Sequence, residues 1–344
     1  MCVSTVSTEH DWNFETTRMA PVLDLPLPPL DKKRFRFVEV LAQQDRPIGQ
    51  IELYHDCQQN CKVVGKRMLR SWTLGSAKEF EDEHPELLES PWKELALSLF
   101  VGSTEMKGIC KCYGAFEDPK GDVLIFLEYI CGGDIHDLAR RCTTEPGPER
   151  EAKAWPVILS LLGAVQSLHH IGVAHGDISL ENALLSPDGE VRLVDFAASV
   201  TDTRTRGIRG KPSYQAPEMH TPNSYDPFAA DLFACGVFAY CLVVADYPWR
   251  CTSPNKCAAF DFYLLHGLPA FLAQRKLRFE GMQRRPVQAI LSQRLTHLLS
   301  VLLDPVPERR KGVWQELREM EPVMVEVQED TSSAAHSPPA LKVN

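Results

Sequence analysis

The sequence predicts an α+β fold with two unequal lobes, because β-like runs come first along the chain and helical patterns come second. Residues 34–37 alternate polar and apolar side chains, as a half-buried strand does. Residues 154–170 carry apolar side chains at helical spacing. We therefore expect a small β-rich lobe with one main helix over residues 34–130 and a larger helical lobe over residues 131–322.

The remaining elements follow from the same patterns, in chain order. In the small lobe we expect two further β-like runs, one helix and one buried strand at residues 50–54, 62–68, 90–101 and 122–129. A turn signal at residues 131–133 separates this lobe from the next. In the large lobe we expect two short strands and three more helices at residues 182–185, 191–194, 231–245, 260–277 and 292–303.

Composition and charge indicate a folded protein with polar ends. Of the 344 residues, 44% are apolar and 24% are charged, which are ordinary values for a globular protein. Residues 1–33 lack periodicity, and residues 323–344 are acidic and then rich in Ser, Ala and Pro, so both ends are predicted to be disordered. The net charge of -9 argues against a nucleic-acid-binding protein.

Cysteine usage and apolar stretches bear on location. The 11 cysteines are scattered and no secretory signal is visible, so we expect reduced thiols in a cytosolic or nuclear protein, with the cytoplasm as the predicted location. The spacing of His55, Cys57 and Cys61 fits no common zinc site. The apolar stretch 232–245 is interpreted as a buried helix because it is too short to span a membrane.

The strongest chemical signal is a pair of motifs. The first is His175-Gly176-Asp177-Ile178-Ser179-Leu180-Glu181-Asn182, and the second is Asp195-Phe196-Ala197. Phosphoryl transfer needs one carboxylate that orients the attacking hydroxyl and accepts its proton. It also needs a carboxylate and an amide oxygen that hold Mg²⁺ on the phosphates. Asp177, Asn182 and Asp195 supply groups of these kinds at one place.

The two motifs resemble H-R-D-L-x-x-x-N and D-F-G of the protein kinase superfamily, Ser/Thr type. The resemblance implies that Asp177 is the catalytic base, that Asn182 and Asp195 are metal ligands, and that His175 and Phe196 pack the site. It also implies the bilobal protein-kinase fold, ATP and Mg²⁺ as cofactors, and a protein substrate. Residues 175–182 are then the catalytic loop and residues 195–218 the activation segment.

Further segments extend the resemblance over about residues 34–321. Residues 210–218 are similar to the G-T-x-x-Y-x-A-P-E strip of Ser/Thr kinases. Asp231 falls where kinases place a buried aspartate that braces the catalytic loop. By the same resemblance Arg310, or alternatively Arg309, is expected to pair with Glu218.

In the small lobe, residues 63–66 resemble V-A-I-K, so Lys66 is expected to bind phosphate and to pair with Glu94 on the helix that follows. Residues 128–130 look like the hinge that binds adenine, and Leu127 like the residue that guards the back pocket. Asp134 resembles the acid that binds ribose. The nucleotide contacts that the resemblance implies are Lys66, Gly49, Ile51, Val64, Leu127, Glu128, Ile130, Asp134, Asn182, Leu184 and Asp195.

The glycine-rich loop departs from the family pattern. Counted from Lys66, its three glycine positions fall on Gln44, Arg46 and Gly49, so only the last is glycine. Side chains at the first two positions hinder close approach of backbone N–H groups to phosphate, which predicts weakened ATP binding.

Two further departures lie in the main motifs. Gly176 replaces the arginine that normally clamps a phosphorylated residue of the activation segment. Activation by that route is therefore not expected, although hydroxyls are available at Thr201, Thr203 and Thr205. Ala197 replaces the glycine of D-F-G, which is tolerated if the backbone there is not left-handed.

A lysine and a hydroxyl residue have exchanged places. Ser/Thr kinases usually have lysine two residues after the catalytic aspartate, bridging to the threonine of the G-T strip. Here those positions are Ser179 and Lys211. Our hypothesis is that Lys211 reaches back to Asp177, Ser179 and the transferred phosphate, in a site that favours a small alcohol acceptor.

Two functions from different classes remain open at this point. The first is an active protein serine/threonine kinase, supported by Lys66, Asp177, Asn182 and Asp195. The alternative is a pseudokinase that binds nucleotide or acts as a scaffold, supported by the missing glycines and the changes at Gly176 and Ala197. Neither implies a nucleic-acid or membrane partner, and the oligomeric state stays open.

Overall fold

A computed structural model describes most of the chain, namely residues 27–43, 49–73, 75–102, 104, 106–142, 144–277 and 284–319. These residues form a small lobe around one antiparallel sheet and a larger lobe that is mainly helical. The two-lobed α+β architecture predicted from the sequence is therefore confirmed. The predicted disordered ends lie largely outside the described residues.

Five antiparallel strands in the spatial order β1-β2-β3-β5-β4 form the sheet of the small lobe. The strands are β1 Phe35–Gln43, β2 Gln50–Asp56, β3 Cys61–Met68, β4 Cys112–Glu117 and β5 Val123–Glu128. The register of β1 on β2 shifts between Phe37 and Glu39. This is where the polar–apolar alternation slips in the sequence, as it does when an extra residue bulges from a strand.

The small lobe begins further upstream than predicted. Leu30 N–H donates to Glu117 O at 2.7 Å, and Glu117 N–H donates to Pro28 O at 2.9 Å, so residues 28–30 pair with the free edge of β4. Leu27 and Leu30 pack against the two apolar clusters of the lobe. The predicted disordered arm 1–33 is therefore wrong for residues 27–33, because backbone pairing at a sheet edge leaves little pattern in the sequence.

Three helices connect β3 to β4, although the sequence predicts only one. They are α1 Arg70–Thr73, α2 Ala77–Glu83 and the main helix α3 Pro91–Gly102. A capping box starts α2, since Ser76 accepts from Glu79 N–H while the Glu79 carboxylate accepts from Ser76 N–H. That Ser-x-x-Glu spacing is the signal that could have predicted α2.

The large lobe contains seven helices among the described residues, two short hairpins and two 3₁₀ turns. The helices are α4 Ile135–Arg141, α5 Pro148–His170, α6 Pro227–Val244, α7 Ala258–Gln274, α8 Gln293–Leu302, α9 Pro307–Arg310 and α10 at residues 313–319. The hairpins are β6 Ala183–Leu185 with β7 Val191–Leu193, and β8 Lys276–Leu277 with β9 Arg285–Pro286. The 3₁₀ turns are Pro217–His220 and Val287–Ala289.

Helix α6 is the central helix of the large lobe. Asp226 caps its start by accepting from the N–H groups of Phe228 and Ala229, so the helix is a turn longer than the apolar run suggested. By length and composition it could cross a membrane, which corrects the prediction that it is too short, but 94% of its apolar window is buried within the protein. It packs against α5 and α8 as the core of this lobe.

The predicted helix 260–277 ends earlier, at Gln274, because residues 276–277 form β8. The helix is also interrupted at Gly267, whose φ of 78° and ψ of 172° are not helical, and Pro269 follows two residues later. A residue before proline and a glycine both favour such a break.

Arg310 holds the activation segment against α6. It is fully buried, and its Nη1 and Nη2 donate to the two carboxylate oxygens of Glu218 at 2.7 and 2.8 Å. Further bonds run to the carbonyls of Ala229 and Asp304. Arg309, the alternative partner, instead faces Asp304 at 3.6 Å and is exposed.

We expect Arg310→Met to lower the free energy of unfolding by about 3–5 kcal/mol, because it leaves the Glu218 carboxylate partly buried without its partner. Arg309→Met removes the same charge one residue away and should change it by less than about 0.5 kcal/mol. Urea denaturation of the two variants and the parent protein measures both values. Equal losses would contradict a specific role of the buried pair.

Candidate active site

A cavity of 510 Å³ lies between the lobes and collects most of the predicted site residues. The predicted residues that line it are Ile51, Val64, Lys66, Glu94, Leu127, Glu128, Ile130, Asp134, Asn182, Leu184 and Asp195. Strands β2, β3 and β5 supply its roof, and the catalytic loop with β6 supplies its floor. Such a concave site with an apolar lining and a few convergent polar groups is the usual form of a ligand site.

Lys66 is held between two carboxylates inside this cavity. Its ammonium donates to Glu94 of α3 and lies 3.3 Å from Asp195 Oδ1. Burial alone would lower the pKa of Lys66, but the two carboxylates raise it above its usual value. Lys66 therefore stays charged at neutral pH, and a polar group in this cavity meets a fixed ammonium.

Asp195 is positioned by an unusual backbone conformation. Its φ is 69°, in the left-handed region that only a small set of non-glycine residues adopts. Its carboxylate accepts from Ala197 N–H at 3.4 Å. Although burial raises its pKa, the charge of Lys66 and that N–H keep the pKa below its usual value. Asp195 is thus a carboxylate held ionised at the cavity wall.

The catalytic loop brings Asp177, Asn182 and Ser179 together. Asn182 Nδ2 donates to Asp177 Oδ2 at 2.7 Å and to Asp177 O at 2.8 Å. Because both hydrogen bonds use the side-chain nitrogen of Asn182, the side-chain oxygen of this residue, which lines the cavity, stays available to a ligand. Burial raises the pKa of Asp177, while Lys211 and the Asn182 bond act in the opposite direction.

Lys211 reaches back from the activation segment to this loop. Its Nζ donates to Ser179 Oγ at 2.7 Å and lies 3.7 Å from Asp177 Oδ2. It also lies 3.8 Å from Glu181 Oε2. The contact between the two exchanged side chains is therefore present, although Lys211, Ser179 and Asp177 stand beside the cavity rather than in its lining.

Asp231 of α6 fixes the start of the catalytic loop. It is buried and accepts from the N–H groups of His175 and Gly176 at 2.7 and 2.9 Å. His169 Nε2 bonds to the same carboxylate at 3.0 Å. The His175 ring accepts from Asp177 N–H through Nδ1, so its Nε2–H donates to Val194 O at 3.1 Å.

The glycine at 176 is required by its surroundings. Its φ is 78°, and a Cβ built there would lie 2.3 Å from Ala198 O. It would also lie 3.5 Å from Arg209 Cδ, so the side chain of Arg209 fills the space beside Gly176. Ala197, by contrast, does not have a positive φ, so the condition under which alanine is tolerated there is met.

Gly49 does not line the cavity. Its φ is 111°, and a Cβ there would overlap Arg67 O at 1.5 Å, so glycine is needed for the close approach of two strands. Glycine at this position thus has a structural reason, and its predicted role in binding nucleotide stays a prediction. Gln44 and Arg46 lie outside the described residues.

Asp134 has a structural partner that the sequence did not suggest. Its carboxylate caps α4 by accepting from Asp137 N–H at 2.7 Å, while the residue also lines the cavity. With His136 and Asp137 it forms a group of possible metal ligands within 4.8 Å of one another. His55, Cys57 and Cys61 form no such group among the described residues.

Two residues near the site were not predicted from the sequence. Glu181 lines the cavity and faces Lys211, and its position between Asp177 and Asn182 was a signal for it. Arg209 packs beside Gly176, and no sequence pattern pointed to that contact.

Comparisons with known proteins agree with this geometry. The family model described as "Protein kinase domain" matches residues 69–321, well over half of the chain. Strands β1 to β3, and Lys66 with them, precede the matched range.

The curated relatives include Serine/threonine-protein kinase HAL4/SAT4 of Saccharomyces cerevisiae, with 26% identity over 70% of this chain and 39% of that protein. Serine/threonine-protein kinase hal4 of Schizosaccharomyces pombe is also 26% identical, over 70% of this chain and 37% of that protein. Testis-specific serine/threonine-protein kinase 3 of Mus musculus is 30% identical over 45% of this chain and 58% of that protein. The matched part of the chain thus spans less than two thirds of each of these relatives.

We expect Gly176→Ala to lower the free energy of unfolding by about 1–3 kcal/mol more than Gly189→Ala. Both glycines have a positive φ, near 80°, so both variants carry the same backbone strain. Only the methyl group at 176 meets a carbonyl, because nothing lies within 4 Å of a Cβ at 189. Thermal and urea unfolding of the two variants give the comparison, and equal losses would show that the Ala198 carbonyl moves aside freely.

Proposed function

Because the chain belongs to the protein kinase family, we propose that it is an active protein serine/threonine kinase that transfers the γ-phosphoryl group of ATP to a protein hydroxyl. The observation that carries the proposal is the assembly of Lys66, Glu94 and Asp195 with the pair Asp177–Asn182 around one cavity. Packing alone does not demand five polar side chains, from both lobes, at one place.

The cavity offers separate places for the parts of a nucleotide. The strand end and turn at residues 127–131 supply an apolar wall and backbone groups for adenine. Asp134, which caps α4 and lines the cavity, would bind the ribose through its second carboxylate oxygen, which is not engaged in the cap. Lys66 supplies the ammonium for phosphate, and Glu94 keeps it in place.

The donor set also fits a hard divalent cation. Asp195 and Asn182 line the same cavity, and carboxylate and amide oxygens of the kind they carry are the ligands that Mg²⁺ prefers. A bound Mg²⁺ would neutralise charge on the phosphates during transfer. Asn182 and Asp195 are the residues that would hold it.

Asp177 is placed to orient the acceptor hydroxyl and to take its proton. Its Oδ2 is engaged by Asn182, and its Oδ1 is buried without a hydrogen-bond partner among the described residues. Lys211 brings a positive charge to within 3.7 Å of this carboxylate, where negative charge moves during transfer. Ser179 fixes the Lys211 ammonium through its hydroxyl.

The alternative function, a nucleotide-binding or scaffolding pseudokinase, rests on the glycine positions. Gln44 and Arg46 depart from the family pattern, and Gly49 has a structural reason to be glycine. Binding of ATP would then depend mainly on Lys66 and the hinge.

Partners and location follow as proposals of the same kind. A kinase of this type acts on a protein substrate and on ATP, and the net charge of -9 argues against a nucleic-acid partner. The ten cysteines among the described residues are free thiols, which supports a reducing compartment, and we propose the cytoplasm.

The first experiment measures phosphate transfer from γ-labelled ATP with Mg²⁺ to a generic basic protein, comparing the parent protein with Asp177→Asn. We expect transfer by the parent and a loss of about 10²–10⁴-fold in the variant, because the amide cannot accept the hydroxyl proton. Asp188→Asn, an exposed carboxylate in the turn between β6 and β7, is the matched control.

If the parent protein is folded but transfers no phosphate, the change of its Tm on addition of Mg·ATP separates the two proposed functions. A shift would indicate a nucleotide-binding protein that is silent in this assay. No shift would contradict the proposed kinase and favour the scaffold.

The exchanged lysine gives a second prediction. Lys211→Ala should lower kcat by about 10²–10³-fold, because the site loses a preorganised positive charge. The double variant Ser179→Lys with Lys211→Ser places the ammonium on the catalytic loop and the hydroxyl on the activation segment. It should recover activity to within about tenfold of the parent. Lys256→Ala, which removes an exposed lysine, is the control.

The same variant tests the charge of Asp177. Since Lys211 lowers the pKa of Asp177, its removal should raise that pKa. The fall of kcat/KM on the acid side should therefore begin at a higher pH in Lys211→Ala than in the parent. If Lys211→Ala is fully active and the acid side of its kcat/KM profile is unchanged, Lys211 has no role in catalysis.

A further inference from the structure

Two cysteines stand at the two ends of the loop that leads into α7. The loop runs from Cys251, which is partly exposed, to Cys257, which is 5% exposed. Both side chains pack against the apolar core of the large lobe, and both are free thiols. Two thiols at the ends of one short loop have the makings of a reversible disulfide, which a single cysteine does not.

Cys257 holds the N-cap position of α7, a helix of 17 residues. Its thiol therefore stands where the side chain of Ser, Thr or Asp usually caps a helix. Although burial raises the pKa of this thiol, four backbone N–H groups lower it below its usual value. These N–H groups belong to Phe260, Arg250, Cys251 and Ala259. The helix and the loop thus both stabilise the thiolate of Cys257, which is the nucleophilic form of a cysteine.

The same surroundings place Cys251 next to this thiol. Because the Cys257 thiol faces the backbone N–H of Cys251, only the Cα and Cβ atoms of Cys251 separate that N–H group from its own sulfur. A bond between the two sulfurs therefore requires rotation of the side chains and a local shift of the loop. It does not require the lobe to unfold.

The loop that joins the two cysteines supports the activation segment. Thr252, which follows Cys251, is fully buried, and its Oγ1 donates to Gln215 O at 2.8 Å. On the other side of Cys251, Arg250 O accepts from Ser213 Oγ at 3.0 Å. Since both neighbours of Cys251 bind the activation segment, a displacement of Cys251 acts on both bonds.

We propose that Cys251 and Cys257 form a peroxide-sensitive thiol pair, in which Cys257 is oxidised first and Cys251 is the resolving cysteine. The disulfide shifts the loop and loosens the activation segment, so oxidation lowers phosphoryl transfer and reduction restores it. In a reducing compartment such a disulfide is transient. The effect on transfer rests on the proposed kinase activity, whereas formation of the disulfide does not.

The chemistry takes two steps, with hydrogen peroxide as the oxidant. The thiolate of Cys257 attacks one oxygen of the peroxide, the O–O bond breaks and hydroxide leaves, which gives a sulfenic acid at Cys257. The thiolate of Cys251 then attacks the sulfur of Cys257, hydroxide leaves again, and the disulfide forms. The two thiol protons and the two hydroxide ions combine, so two thiols and one peroxide give one disulfide and two molecules of water.

The first experiment treats the full chain with hydrogen peroxide, denatures samples with an alkylating reagent and identifies free and bonded cysteines by mass spectrometry. We expect a bond between Cys251 and Cys257 that dithiothreitol removes. Cys57 is the internal comparison, because it is exposed and exposure alone would make it the more reactive thiol. We expect Cys257 instead to lose its free thiol about tenfold faster than Cys57.

Two variants separate the roles of the pair. In Cys251→Ser the resolving thiol is absent, so further peroxide should carry Cys257 on to the sulfinic acid, which mass spectrometry detects as two added oxygen atoms. In Cys257→Ser the other thiol should stay free under the same treatment. Because serine is itself a favoured N-cap residue, Cys257→Ser should fold with the Tm of the parent.

Phosphoryl transfer tests the consequence for the activation segment. Oxidation should lower the transfer rate of the parent by about tenfold or more, and dithiothreitol should restore it, because small displacements in a catalytic site cost much of its rate. Cys257→Ser should have the rate of the reduced parent and keep it in peroxide. Cys57→Ser, the matched control, should respond as the parent does.

The proposal is overturned if Cys251 and Cys257 stay thiols while Cys57 is oxidised, or if Cys257 gains no oxygen in Cys251→Ser. A disulfide that forms without any change in transfer overturns its link to the activation segment. A reduced parent protein without transfer contradicts the proposed kinase activity instead. The mass measurements then still decide whether the thiol pair exists, since they require no phosphoryl transfer.

Discussion

The carboxylate of Asp231 is the constraint on which the active site depends. It projects from the core helix α6 and accepts two consecutive backbone N–H groups, those of His175 and Gly176. A buried charge is tolerated here because His169 completes its set of donors. The position of Asp177, and through it of Asn182, is thereby fixed to the most deeply buried element of the large lobe.

From that fixed point the site is completed by elements that are far apart in the chain. Lys66 and Glu94 come from the small lobe, Asp195 from the segment after β7, and Lys211 from the activation segment. Each cation faces at least one carboxylate of a different element, so the charges balance only when the lobes and the segment are all in place. The ionisation of the site therefore reports on the arrangement of the whole domain.

The sequence predicted the parts of this arrangement that depend on short spacings. Asp177 and Asn182 lie in one loop, and apolar periodicity located α3 and α6 to within about a turn and α5 to within about two turns. The pairing of Leu30 with Glu117 and the packing of Arg209 beside Gly176 join residues distant in sequence, and no local pattern encodes such contacts. The structural reason for glycine at position 49 could not be predicted, because a positive φ and a close backbone contact leave the same trace in a sequence as a phosphate-binding glycine.

The two unusual positions of the catalytic loop have a common explanation. In the family pattern the loop carries an arginine and a lysine, where this chain has Gly176 and Ser179. The structure places Arg209 beside the first and Lys211 beside the second. Both positive charges have thus moved from the loop to the activation segment, on either side of Gly210. That glycine has a φ of 73°, and a Cβ there would lie 3.1 Å from Asp177 Oδ1.

A loop whose cations are supplied by another element is incomplete when that element moves. Displacement of the activation segment would remove the charge beside Asp177 and open the space beside Gly176 in a single step, because Arg209 and Lys211 are two residues apart. The bonds between Thr205 and Tyr225, and between Tyr225 and Gly207, oppose that displacement within the protein itself. Whether positive charge stands beside the catalytic loop is then determined by the position of the activation segment, and not by the residues of the loop alone.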